Sequence, residues 1–138
     1  MTQEFDLNQP IYQAGQSAMS MGNLLAYFVD PNYQRGNLSR ISDMHVKVGR
    51  PVSFRIDDDL TPVPEGEGVT DEVIWYMLGI ILNEKHRATI ASDEPGDIDS
   101  GYEWKDGGVN FRLNVFRDRD GLAFVMRVLS SIIPDIET

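Results

Sequence analysis

The chain has 138 residues, 41% of them apolar, enough for one domain that buries roughly two-thirds of its unfolded surface without a metal or disulfide staple. It contains no cysteine, which removes disulfides, thiolate zinc sites and a cysteine nucleophile together. Its 22 acidic residues against 12 basic ones give a net charge of −10, which disfavours bare nucleic acid and anionic lipid as partners. A local basic site for a phosphate survives that field, because interactions beyond about 8 Å are screened at physiological salt.

Residues 1 to 16 show no clear period and mix Gln, Asn, Pro and Gly, so they are expected to form a flexible leader. They lack a basic segment followed by an apolar one, and no signal peptide is expected. From Ser17 the pattern changes. Met21, Leu24, Leu25 and Phe28 make one helical stripe, with Ser17 or Ser20 as its cap and Asp30-Pro31 as its end. Asn32 to Arg40 is a polar loop that looks like an insertion.

Asp43 to Val48 alternates Met44, Val46 and Val48 against His45 and Lys47, which predicts a half-buried strand. Gly49-Arg50-Pro51 turns the chain into a second strand, Val52 to Ile56. Asp57-Asp58-Asp59 is the next turn, and Leu60 to Val63 follows as an edge strand because Pro62 lacks a ladder donor. Thr70 caps the main helix, whose stripe is Val73, Ile74, Met77, Leu78, Ile81 and Leu82. The apolar run from Val73 to Leu82 is about half of the ~20 residues that a membrane span needs. Asn83 caps a second helix to about Ala91, and Pro95-Gly96 ends that region.

Asp97 to Trp104 is a further strand, and Asp106-Gly107-Gly108 turns into the strongest signal in the chain, VNFRLNVFRDRDGLAFVMRV from Val109 to Val128. There Phe111, Leu113 and Val115 alternate with Asn110, Arg112 and Asn114. Leu122, Phe124 and Met126 alternate with Ala123, Val125 and Arg127, across a turn ending in Asp120-Gly121. Arg112 and Arg127 therefore leave the sheet opposite its apolar positions. The expected fold is α+β: an antiparallel sheet of about five strands with helices on one face, a PAS-like shape, plus an N-terminal helix.

Several ordered motifs together resemble the N-terminal domain of the PilT-like type IV pilus retraction ATPases, in the type II/IV secretion ATPase superfamily. They are Ile41-Ser42-Asp43-Met44-His45-Val46, Gly49-Arg50-Pro51, Phe54-Arg55-Ile56-Asp57 and Asn83-Glu84-Lys85-His86-Arg87. Asp97-Ile98-Asp99 with Tyr102-Glu103, Phe111-Arg112-Leu113-Asn114 and Val125-Met126-Arg127-Val128 continue the series. The likeness runs from about Leu24 onward. Residues 1 to 16 have no counterpart in it, the Asn32 to Arg40 loop is longer than usual, and Asp120 stands where the family often carries Arg.

The resemblance implies a PAS-like domain over 17–132 and, over 133–138, the start of a linker to a RecA-like ATPase domain. The sequence has no Gly-x-x-x-x-Gly-Lys-Ser/Thr loop to cradle phosphate and magnesium, so this chain alone is not expected to hydrolyse ATP. The longer parent would be a cytoplasmic hexameric ATPase using ATP and Mg, peripheral to the inner membrane. Its partners would be its own RecA-like domain, neighbouring subunits and pilus inner-membrane platform proteins, with no nucleic acid.

In such a protein Arg112 and Arg127 are implied to reach the nucleotide phosphates. The competing expectation is that both are solvated strand residues paired with acids, Asp118 and Asp120 being close in sequence. Arg117 and Arg119 are expected to be surface charges. No metal site is expected: Asp57, Asp58 and Asp59 read as a solvated turn, and His45 and His86 lack ligand partners at helical spacing. His45 is expected to be an outward-facing surface residue or an interdomain contact, and Trp75 and Trp104 are expected in a core or interface. The alternative function is a free-standing PAS-like sensor or adaptor binding a small ligand or protein partner. A sensor needs polar groups on the inner sheet face, whereas Val46, Val48, Phe54, Phe111, Leu113 and Phe124 are all apolar.

Overall fold

The computed structural model describes residues 5–35, 38–92 and 97–131. The chain opens with a two-stranded hairpin, β1 (Pro10–Ala14) against β2 (Ser17–Ser20), followed directly by the short helix α1 (Met21–Leu25) and a 3-10 turn over Ala26–Val29. A second 3-10 turn at Pro31–Tyr33 leads to a small ladder, β3 (Gln34–Arg35) with β4 (Leu38–Ser39), in the segment expected to be all loop. Then come β5 (Ile41–Lys47), β6 (Ser53–Ile56), β7 (Asp59–Pro62), α2 (Asp71–Ile81), α3 (Glu84–Ala91), β8 (Ile98–Trp104), β9 (Val109–Asp118) and β10 (Gly121–Ser131).

The main sheet is antiparallel, with six strands in the order β7-β6-β5-β10-β9-β8. The α+β expectation holds, and the sixth strand is the short edge strand β7, exposed along its length. Asp57 and Asp58 form its two-residue turn, with φ of 50° and 72°, the mirror-type geometry that suits a tight hairpin.

Local chemistry explains the helices. Ser20 caps α1 reciprocally with Asn23: the Asn23 amide donates to the Ser20 hydroxyl at 3.0 Å, and the Ser20 amide to the Asn23 side chain at 2.9 Å. Thr70 accepts the Val73 amide at 3.2 Å, and Asp71 and Glu72 occupy the positive end of α2. Asn83 accepts the His86 amide at 2.8 Å and starts α3.

One core joins the layers. Met44, Val46, Phe54, Phe111, Leu113, Phe124 and Met126 on the inner sheet face pack with Leu24, Leu25 and Phe28 and with Ile74, Met77, Leu78 and Ile81 of α2. The inner positions are filled by hydrocarbon, and Val48 alone of those expected inward is partly exposed.

The expectation of a flexible leader is corrected by the hairpin. Tyr12 of β1 is buried; its hydroxyl donates to the Glu67 carbonyl at 2.6 Å and accepts the Val52 amide at 3.0 Å. Further forward, Phe5 lies against the bare backbone of Gly79, edge-on to Tyr76 at 5.3 Å and beneath the Arg87 guanidinium at 5.1 Å. The Asp6 amide donates to the Tyr76 hydroxyl at 2.8 Å. Residues 5–16 thus close one side of the domain. The expected linker at 133–138 and the Pro95-Gly96 stop lie outside the described residues.

Candidate functional site

Alternation in the sheet sends every second side chain to the face that the helices leave uncovered. On that outer face register aligns one row across four strands: Arg55 of β6 opposite Asp43 of β5, Asp43 opposite Arg127 of β10, and Arg127 opposite Arg112 of β9. Gly101 of β8 ends the row beside Arg112. Arg112 and Arg127 therefore stand side by side on the outer face.

The partners differ from the expectation. Asp118 and Asp120 are at the far end of the hairpin, where both bind Lys47, at 2.8 and 3.3 Å. The hydrogen bond to Asp118, then that to Asp120, holds the Lys47 ammonium above its usual value; Lys47 in turn holds the Asp118 carboxyl below its own. The acid beneath the arginines is Asp43, only 5% exposed. Its Oδ2 lies 3.5 Å from Arg127 Nη2, 3.5 Å from His45 Nε2 and 3.9 Å from Arg55 Nε. No ion pair of Arg112 with a carboxylate occurs among the described residues.

Beside these arginines runs a groove of about 510 Å³, lined by His45, Asp99, Arg112, Leu113, Asn114, Val125, Arg127 and Leu129. Asp99 accepts a hydrogen bond from the Asn114 amide group at 3.2 Å. A second groove of about 570 Å³ adjoins it through His45 and Val125 and reaches Lys47, Arg50, Leu60, Pro62 and Phe116. The outer face is thus concave, partly apolar and supplied with planar guanidinium forks, which suit bidentate contact with an oxyanion such as phosphate.

Other expected roles fall elsewhere. Arg117 donates to the Ile90 carbonyl at 2.6 Å, anchoring the end of α3, so it is more than a surface charge. Asp57 pairs with Arg40 at 2.5 Å in the solvent-exposed turn, and no cluster of His, Asp or Glu able to hold a metal ion occurs among the described residues. Trp104 is buried and Trp75 half-buried, both within the packed interior.

A solved structure of the pilus retraction motor PilT with bound ADP superimposes on this fold with a TM-score of 0.58; the two are 28% identical over 69% of this chain. The chain matches the N-terminal domain of a PilT-like secretion ATPase. The ATPases DotB of Legionella pneumophila and Yersinia pseudotuberculosis share the fold, with TM-scores of 0.61 and 0.57 at 15% and 16% identity over 83% and 91% of this chain. The chain spans 27% of the PilT chain and 29% and 36% of the two DotB chains, between about a quarter and about a third of each. No family model and no curated protein matches the sequence.

Asp43 is the charged residue of this face that the sequence pattern alone does not single out. Its place in the β5 alternation, on the same side as His45 and Lys47, puts an acid on the cationic face. The register that seats it between Arg55 and Arg127 is a property of the fold.

Proposed function

We propose that this chain is the regulatory and assembly domain of a hexameric type IV pilus retraction ATPase. In this reading Arg112 and Arg127 contact the phosphates of ATP held with Mg by the protein's own RecA-like domain. The observation that carries the reading is the direct pairing of Arg112 with Arg127 beside an open groove, on the sheet face free of helices. Two permanently charged forks at adjacent positions neutralise charge on a transferring phosphoryl group, or couple its loss to rotation of the domain. The 28% identity to a retraction motor, over more than two-thirds of this chain, supports the retraction branch.

The same reading makes the parent cytoplasmic and peripheral to the inner membrane, acting with neighbouring subunits and with platform proteins of the pilus machine. Among the described residues, no helix is long and apolar enough to cross a membrane. The phosphate contacts are tested in a protein that includes the ATPase domain. Arg112→Ala and Arg127→Ala are each expected to lower ATP turnover by about a hundredfold, the scale for removing one aimed donor from a transition state. Unchanged turnover in both overturns the reading.

A further inference from the structure

We infer that Asp43 is a positioning residue that tethers Arg127 until a phosphate group displaces it, an inference that rests on the reading of Arg112 and Arg127 as phosphate contacts. A carboxylate as buried as Asp43 is costly unless cations compensate it. Three basic side chains surround the same oxygen, Arg127 and His45 at 3.5 Å and Arg55 at 3.9 Å, each beyond the length of a strong charge-assisted hydrogen bond. The charge is shared between the two arginines.

Their exposures rank them. The Arg127 side chain is 66% exposed, against 36% for Arg55 and 30% for His45, so Arg127 is the partner that solvent and ligand reach. Arg112, next to it on β9, is exposed and makes no carboxylate pair among the described residues. The two arginines therefore differ in kind. Arg112 is a standing cation that attracts an oxyanion into the groove, and Arg127 is a tethered one that exchanges Asp43 for that oxyanion. When Arg127 leaves, Arg55 continues to compensate Asp43, with His45 beside the same oxygen. The exchange makes engagement of the second arginine depend on ligand and returns it to a fixed parking position when the ligand departs.

The test uses the 138-residue chain titrated with inorganic triphosphate and followed by NMR of the arginine side chains. Triphosphate is expected to shift both Arg112 and Arg127. Asp43→Asn is expected to tighten binding about threefold, the scale of an exposed ion pair. In an Arg127→Gln background that gain is expected to vanish, whereas a general field effect of removing a negative charge survives it. A gain that persists without Arg127, or no gain at all, overturns the tether while leaving the site standing.

Arg55→Gln covers the case in which Asp43→Asn fails to fold. It leaves Asp43 more dependent on Arg127, so triphosphate binds more weakly, again only while Arg127 is present; unchanged binding overturns the tether. If neither arginine responds to millimolar triphosphate, or if Arg112→Gln binds it as well as the parent chain does, the tether is overturned, while ATP turnover of the Arg112→Ala and Arg127→Ala variants in the protein that includes the ATPase domain decides the phosphate reading separately.

Discussion

The Tyr12 hydroxyl accepts the amide proton of Val52 at 3.0 Å, bridging the first strand of the chain to the start of β6, 40 residues later. The same hydroxyl donates to Glu67, so one buried atom closes two backbone groups that no ladder satisfies. Burial pushes the phenol up, partly offset by the Val52 amide. Tyr12→Phe keeps the ring and removes the oxygen. It is expected to lower unfolding stability by about 1 to 3 kcal/mol, the penalty for leaving buried polar groups unmet. Urea denaturation checks this, and an unchanged midpoint refutes it.

Gly79 has no side chain where the Phe5 ring lies, and a β-carbon built there collides with the ring. Gly79→Ala is expected to expel Phe5 while leaving α2 helical, because alanine is the better helix former by about 1 kcal/mol. Hydrogen exchange at the Asp6 amide, now donating to Tyr76, should accelerate with little change in global stability. Retained protection at Asp6 shows that the ring stays seated.

Lys47 and Asp118 set a pH dependence on both sides of neutrality. The folded value of Asp118 lies below 3.8, so its contribution is present above that pH and is lost as the pH falls through the folded value. The folded value of Lys47 lies above 10.5, so its contribution is present below that pH and is lost as the pH rises through the folded value. Asp118→Asn should therefore flatten the acid limb of a stability-against-pH curve. A curve parallel to that of the parent chain contradicts the pairing.

Thr70 closes the first turn of α2. Thr70→Ala is expected to cost about 1 kcal/mol, and Thr70→Ser to recover most of it, since serine caps as well as threonine does. Thermal unfolding of the two variants side by side distinguishes the lost cap from a lost methyl contact.

The parts of this fold that can be read from sequence are those whose cause is local. The β9–β10 hairpin declares itself through Val and Phe at every second position, and α2 and α3 through Thr70 and Asn83 at their caps. The β1–β2 hairpin is hidden because its strands are only five and four residues long, and Tyr12 is held by partners 40 and 55 residues away. One signal was present: Gly15, with φ of 61°, turns the chain between Ala14 and Ser17. The site divides in the same way. Alternation places Arg112 and Arg127 on the outer face, but the pairing of β10 with β5 decides that Arg127 meets Asp43, and that Lys47 claims Asp118 and Asp120. Charges near in sequence were poor guides to charges near in space.

The sheet order has a consequence for how the domain holds together. β5, β6 and β7 form one ribbon and β8 with β9 another, and they meet only through β10, the last strand described. Without residues 121–131, β5 and β9 each present an unsatisfied edge with Phe111, Leu113 and Met44 beside it, the condition that favours association between chains. Arrival of β10 fills both edges in one step and inserts Phe124 and Met126 between the ribbons. The domain is therefore built like an arch with β10 as its keystone, and a chain cut within the β9–β10 turn should yield two ribbons and no domain.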